Sequence, residues 1–226
     1  MSLYTILLVS SVAVPLLLSF DNKLRFWQQW KYFFPAVFTI AAVYIFFDVL
    51  LTRDGVWGFN PRYHSSLVFL GLPLEEWLFF IVIPYASIFL HDALVLYFPK
   101  FKMTEKTTGF LTYGILIFLV LMIVFHTGKT YTVYIFTTVA VALLWSLTDK
   151  TNVISRFYAT FLVILVPFIM MNAVLTGTFI DGEVVWYNHA ENLNIRFLTI
   201  PIEDFGYAFS MILLGLLLRE KLRNLY

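Results

Sequence analysis

Twice in this sequence a proline is followed, after one intervening residue, by two adjacent carboxylates: "PLEEW" (Pro73–Trp77) and "PIEDF" (Pro201–Phe205). Proline fits the first turn of a helix, where its missing N–H has no intrahelical partner, so Glu75, Glu76, Glu203 and Asp204 fall in first turns. A lone acid there complements the positive end of the helix dipole, worth about 0.3–1 kcal/mol. These pairs run directly into "WLFFIVIP" and "FGYAFSMI", so each helix enters an apolar medium at once. Ionisable groups in such places are costly and usually face an interior cavity. Carboxyls that meet in a dry cavity divide into a protonated acid and an ionised base, the equipment for giving a proton to an apolar substrate and taking one back. Neighbours on a helix point about 100° apart, so one acid of each pair faces inward while the other braces it. Glu75 and Glu203 are expected to be the inward members.

The surroundings suit a cationic reaction path. Trp57, Trp77, Phe79, Phe80, Trp186 and Phe205 flank the acids, and aromatic faces attract cations by about 0.5–2 kcal/mol. Trp and Tyr also collect at membrane interfaces generally, which leaves Phe79 and Phe80, inside a helix, as the sharper candidates. Asp48 and Asn172 stand near the ends of two apolar runs, where each either orients a catalytic carboxylate or caps the last carbonyls. Asn60 and Asn188 are turn formers. His64, His91 with Asp92, and His126 read as loop or helix-end residues. With no cysteine in the chain, disulfides and thiolate chemistry are excluded, and no metal site is expected.

Helices must position these acids, and the composition says in what medium. The 226 residues are 61% hydrophobic and 13% charged, against about 45–50% and 25% for soluble domains. Seven apolar runs, near Leu3–Phe20, Phe33–Leu51, Pro73–Phe98, Thr108–His126, Thr130–Thr148, Ile154–Thr176 and Pro201–Leu218, approach the length that crosses a core of about 30 Å at 1.5 Å per residue. The runs are continuous rather than alternating, which disfavours a transmembrane barrel. The expected fold is an all-α integral membrane protein with seven transmembrane helices. Of the fifteen Lys and Arg, all but Arg53, Arg62, Lys129 and Arg196 fall in the loops after helices 1, 3 and 5 and the tail after helix 7. That bias places the N-terminus outside and the C-terminus in the cytoplasm, in a cytoplasmic (inner) membrane. The first run lacks a basic n-region and a small-residue cleavage site, so it reads as a retained helix. A net charge of +1 offers no case for nucleic acid as a partner.

The chain also repeats itself. "DVLLT" (Asp48–Thr52) matches "NAVLT" (Asn172–Thr176); Asp54-Gly55 matches Asp181-Gly182; "WGFN" (Trp57–Asn60) matches "VWYN" (Val185–Asn188). Counting thirteen residues on from Asn60 and from Asn188 reaches Pro73 and Pro201. Helices 1–3 (residues 1–99) therefore correspond to helices 5–7 (residues 129–226), joined by connector helix 4 (residues 100–128). An odd connector makes the 3+1+3 repeat parallel, so both acid pairs enter the membrane from the outer side.

The residues "FFDVLLTRDGVWGFN…GLPLEEWLFF" and "NAVLTG…WYN…IPIEDF" resemble the two halves of the membrane-embedded lycopene cyclases of the heterodimeric type, here fused in one chain. One departure is "LTRDG" in the first half where the second has "LTG" directly. The resemblance implies that Glu75, Glu76, Glu203 and Asp204 carry an acid-initiated, redox-neutral cyclisation of the ψ ends of lycopene or another acyclic carotenoid to β-ionone rings. It also implies contacts with other carotenoid enzymes in the bilayer. No G-x-G-x-x-G turn occurs, so no flavin or nicotinamide cofactor is expected. A sugar-uniporter-like transporter shares the 3+1+3 plan but needs polar groups at the bilayer midplane, where these helices are apolar. A membrane prenyltransferase needs acids for magnesium and diphosphate on the cytosolic side, and a retinal photoreceptor needs a lysine in the last helix; neither pattern is present.

Overall fold

The computed structural model describes residues 1–225 and is built on seven α-helices: α1 (Leu3–Leu18), α2 (Trp30–Arg53), α3 (Leu74–Tyr97), α4 (Glu105–Phe125), α5 (Thr130–Thr148), α6 (Val153–Leu175) and α7 (Ile202–Arg223). Ser2 and Thr104 start α1 and α4 by accepting hydrogen bonds from the N–H of Thr5 and of Thr107, as N-caps do. Among the described residues five helices are long and apolar enough to cross a membrane: α2, α3, α4, α5 and α6. The other two of the seven expected spans, α1 and α7, fall short of that measure of length and composition. α1 has 16 residues, about 24 Å at 1.5 Å per residue. α7 carries Glu203 and Asp204 at one end and Lys221 and Arg223 at the other, and its middle, Ala208–Leu217, is buried. A helix at the centre of a bundle needs no lipid-facing apolar surface. Around it the bundle exposes large apolar side chains such as Phe38, Phe46, Phe110, Ile117 and Leu162, the surface that lipid covers.

α7 packs on α2, α3, α5 and α6. The packing alternates between the halves: α1 lies on α3 as α5 lies on α7, while α2 lies on α7 as α6 lies on α3. Three two-stranded antiparallel ribbons, absent from the all-α expectation, cap the end of the bundle that carries the acids. β2 (Val68–Phe69) pairs with β3 (Leu72–Pro73) and β5 (Arg196–Phe197) with β6 (Ile200–Pro201), each running straight into an acid-bearing helix. β1 (Trp57–Phe59) pairs with β4 (Val185–Tyr187) across the two halves, with Trp57 opposite Tyr187 and Gly58 opposite Trp186. Trp186 lies over Gly58, where a Cβ would overlap its indole.

At the opposite end the Arg219 guanidinium donates two hydrogen bonds to Asp92 of α3, at 2.6 and 2.9 Å, and a third to Glu220 at 3.1 Å. His91 and Thr160 of α6 are hydrogen bonded beside it at 2.7 Å. Reading His91 and Asp92 as mere helix-end residues is therefore corrected: both are built into the contacts among α3, α6 and α7. Removing one partner of a buried pair strands the other charge, which costs about 3–5 kcal/mol. Asp92→Ala is expected to lower the unfolding temperature in detergent clearly; a wild-type melting curve would show that the pair contributes nothing.

Candidate active site

The acid-bearing helices begin alike. Pro73 and Pro201 are extended, with ψ of 152° and 141°. Each stands immediately before its helix rather than inside the first turn, so the acids occupy the second and third helical positions. There the two members of each pair diverge. Glu75 is tied to the surrounding chain: it accepts from Ser2 Oγ (2.7 Å), Thr5 Oγ1 (2.9 Å), the Ser65 N–H (2.8 Å) and Ser65 Oγ (3.0 Å). Glu203 accepts from Thr132 Oγ1 (2.6 Å) and the Leu193 N–H (2.8 Å). Ser65 and Leu193 each stand ten residues before their glutamate. Leu193 lacks the hydroxyl that covers Glu75 Oε2, and Glu203 Oε2 is accordingly left without a partner.

Glu76 and Asp204 instead face a cavity of about 590 Å³ shared by both halves. The expectation that Glu75 and Glu203 point inward is thus reversed. Glu76 shares a helix face with Phe79 and Ile83, three and seven residues on, and that face lines the cavity; Glu75 points toward the loop and the start of α1. Tyr4 donates to Glu76 Oε2 at 2.5 Å. Asp204 collects three donors: Tyr131 Oη at 2.5 Å, Tyr187 Oη at 2.9 Å and Asn172 Nδ2 at 2.9 Å. Burial and the neighbouring Asp204 carboxyl hold the Tyr187 phenol well above its ordinary value, so it stays a donor across the physiological range. Asp48 also lines the cavity, and its buried Oδ2 has no partner.

Tyr4 and Tyr131 escaped the reading of the sequence, although it carries their signal. "YT" occurs at Tyr4-Thr5 and at Tyr131-Thr132. In each half the tyrosine donates to the inward acid and the threonine to the bracing one.

From the acids the cavity runs along α3, whose Glu76, Phe79, Ile83, Ser87, Leu90 and Tyr97 all line it. These positions recur at three, four and seven, the period of one helix face. The rise along α3 from Glu76 to Tyr97 is about 32 Å at 1.5 Å per residue. Trp57, Phe59, Phe168 and Tyr207 add aromatic faces near the acid end. The groove is therefore a long apolar slot with three carboxyls at one end.

The lycopene cyclase family model matches residues 1–94 and 128–222. The chain belongs to the lycopene cyclase family. Neither a curated protein nor a solved structure matches it. Membership implies an enzyme of carotenoid cyclisation with a carotenoid substrate, and each matched region brings one acid of its pair to the cavity, Glu76 from the first and Asp204 from the second. The segment between them holds α4.

Within this lycopene cyclase family member the other expected site residues divide. Trp57 is buried against Tyr131 with ring centroids 4.9 Å apart and lines the cavity, as does Phe79. Phe80 is buried behind it, packed on Tyr44 and Tyr207. Phe205 packs on Phe168 and Phe197. Trp77 turns outward and donates to the Phe69 carbonyl, and Trp186 is exposed over Gly58. Trp77, Phe80, Trp186 and Phe205 do not line the cavity that holds the acids. Asn60 and Asn188 fasten the loops: their N–H groups donate to Val184 and Val56 across the halves, and their side-chain oxygens accept from Arg62 and Ala190 two residues on. Asn172 orients a motif acid rather than a carbonyl; Asp48, its counterpart, does not.

Proposed function

We propose that this protein is a lycopene β-cyclase in which Glu76 gives the initiating proton and Asp204 stabilises the cation and takes the ring proton away. The observation that carries the reading is the convergence of one acid from each half at the end of a single long apolar cavity. A carboxylate is acceptor-only, and the three donors around Asp204 suit that form. Glu76 has one donor, on Oε2, and its other oxygen is free to carry a proton toward the cavity, beside the equally free Asp48 Oδ2.

Protonation of the terminal double bond of a ψ end leaves a tertiary cation. The electron pair of a neighbouring double bond then forms the ring C–C bond and moves the positive charge into the ring. Loss of a ring proton to Asp204 restores a double bond, and return of that proton to Glu76 within the cavity resets the enzyme. The product is an isomer of the substrate, so the chemistry calls for no flavin or nicotinamide. The faces of Trp57, Phe79 and Tyr207 suit the cationic stage, and an apolar, water-poor slot protects the cation from hydration.

The same reading treats residues 1–99 and 129–226 as parallel three-helix repeats joined by residues 100–128. It places the acid end outside and Arg219 at the cytoplasmic face of the inner membrane. Support for the repeat comes from the paired Tyr-Thr contacts and from the matching start of α3 and α7; support for the orientation is the Lys and Arg distribution. The test is expression in bacteria that accumulate lycopene, with chromatography of the pigments. Cyclic carotene is the expected product, and unchanged lycopene from membrane-inserted protein would sink the proposal.

A further inference from the structure

The acids come from two halves, but Glu76 and Asp204 line the same groove. Its counterpart would run along α7 below Asp204, between α2 and α5, and that space is filled. Tyr44 of α2 donates to Ser210 of α7 at 2.8 Å and sets its ring edge-on to Tyr207, centroids 5.1 Å apart. Leu213, Leu216 and Leu217 are buried. Gly206 of α7 lies so close to α5 that a Cβ would stand 2.8 Å from Ile135 and 3.2 Å from Val139. Close-packed interiors of this kind admit no substrate. The open groove instead follows α3, α1 and α6, and it changes character along its length. Near the acids it is lined by Phe79 and Ile83; farther down Ser10, Ser11, Ala86, Ser87 and Ala93 alternate with larger side chains such as Phe89 and Leu90.

Its far mouth is polar. The backbone N–H groups of Leu24 and Lys23 hold the Asp21 carboxyl below the ordinary carboxylate range, so it is ionised at neutral pH. Tyr97 Oη donates to it at 3.4 Å, and Lys23 Nζ lies 4.3 Å from the Tyr97 ring. The apolar wall ends there. Between that mouth and the buried, unpartnered Asp48 Oδ2 at the other end, α3 borders the groove with Ala86, Ser87 and Ala93 set among Phe89 and Leu90.

We propose that the far half of the groove, from Ser87 to Ala93, determines whether a second ring is made. This rests on the cyclase reading. With one acid centre, one ψ end is closed per binding event. A carotene cyclised at one end must therefore rebind reversed, its open end at Glu76 and its closed ring in the far half. A closed ring is broader than an open ψ end, and Ala86, Ser87 and Ala93 are the positions on this wall of α3 where a small side chain sets the clearance it needs. Ala93 is the residue whose enlargement narrows that space while standing nearly five turns, about 25 Å, from Glu76.

The test uses the full chain in lipid vesicles, with lycopene and the monocyclic carotene supplied separately and kcat/KM measured for each. Wild type is expected to use both. Ala93→Phe is expected to shift the ratio of the two kcat/KM values toward lycopene by at least about tenfold, the scale of pocket discrimination by a few carbon atoms. An unchanged ratio overturns the proposal, as does a wild type that closes lycopene but refuses the monocyclic carotene. A wild type inactive on both overturns the cyclase reading itself. Should Ala93→Phe fail to insert, Ala93→Leu is measured in its place and is expected to shift the ratio in the same direction; an unchanged ratio there also overturns the proposal.

Discussion

Glu76→Gln is expected to lower lycopene turnover by about 10²–10⁴-fold, the range for losing a positioned general acid or base. The amide keeps the volume and can still accept from Tyr4, so insertion and thermal stability should stay near wild type. Its neighbour sets the contrast. Glu75 makes four hydrogen bonds to Ser2, Thr5 and Ser65 and faces away from the cavity, so Glu75→Gln should act chiefly on stability, by about 1–3 kcal/mol for a charge-assisted network. Measuring kcat and the melting temperature of both variants separates the roles. If Glu75→Gln proved the more damaging to turnover at equal stability, the assignment of Glu76 as donor would be wrong.

Asp204→Asn is the second large effect expected, about 10²–10³-fold in kcat, as for removing a preorganised group that faces developing charge. Its physical origin differs from that of Glu76→Gln. Tyr131, Tyr187 and Asn172 all donate to Asp204, and an Asn there offers one acceptor oxygen and an NH₂ that meets donors head-on. Some loss of stability should accompany the loss of rate, about 1–3 kcal/mol for a polar group left unpaired. Tyr131→Phe removes one donor of the three and should give a smaller fall in kcat with the carboxylate retained. Wild-type kcat for Asp204→Asn with lycopene would remove Asp204 from the chemistry.

Much of this site was legible from the chain, and the failures have physical causes. The four acids, Asn172 and the turn-forming Asn60 and Asn188 came from the repeat, because turns and helix starts are encoded by local residue types. The choice between Glu75 and Glu76 depended on where the helix begins. With Pro73 immediately before it, the continuous face is Glu76–Phe79–Ile83–Ser87, a stripe that the sequence contains but that an argument from adjacent residues does not use. Tyr4 and Tyr131 were missed because a two-residue match inside an apolar run weighs little until α1 is known to lie on α3. Trp186 and Trp77 illustrate the opposite error: both read as aromatics flanking the acids, but Trp186 is carried outward on β4 and Trp77 on the face of α3 opposite the cavity. The ribbons themselves, two or three residues per strand, are too short to leave an alternating pattern. Asp92 and Arg219 lie 127 residues apart, and nothing local announces their pairing.

The β1–β4 ribbon ties activity to the order in which the chain is made. Its three residue pairs join a strand that emerges after α2 to one that emerges only after α6, and Trp57 and Tyr187, which both line the cavity, sit opposite each other in it. A slip of one residue would turn both away from the cavity, so the ribbon sets the alignment of the two halves. Asp204 follows on α7, the last helix. A partly synthesised chain thus holds Glu76 without its opposing carboxylate and without the strand that aligns the wall, and under the proposed roles of these acids turnover waits for the final helix to be in place.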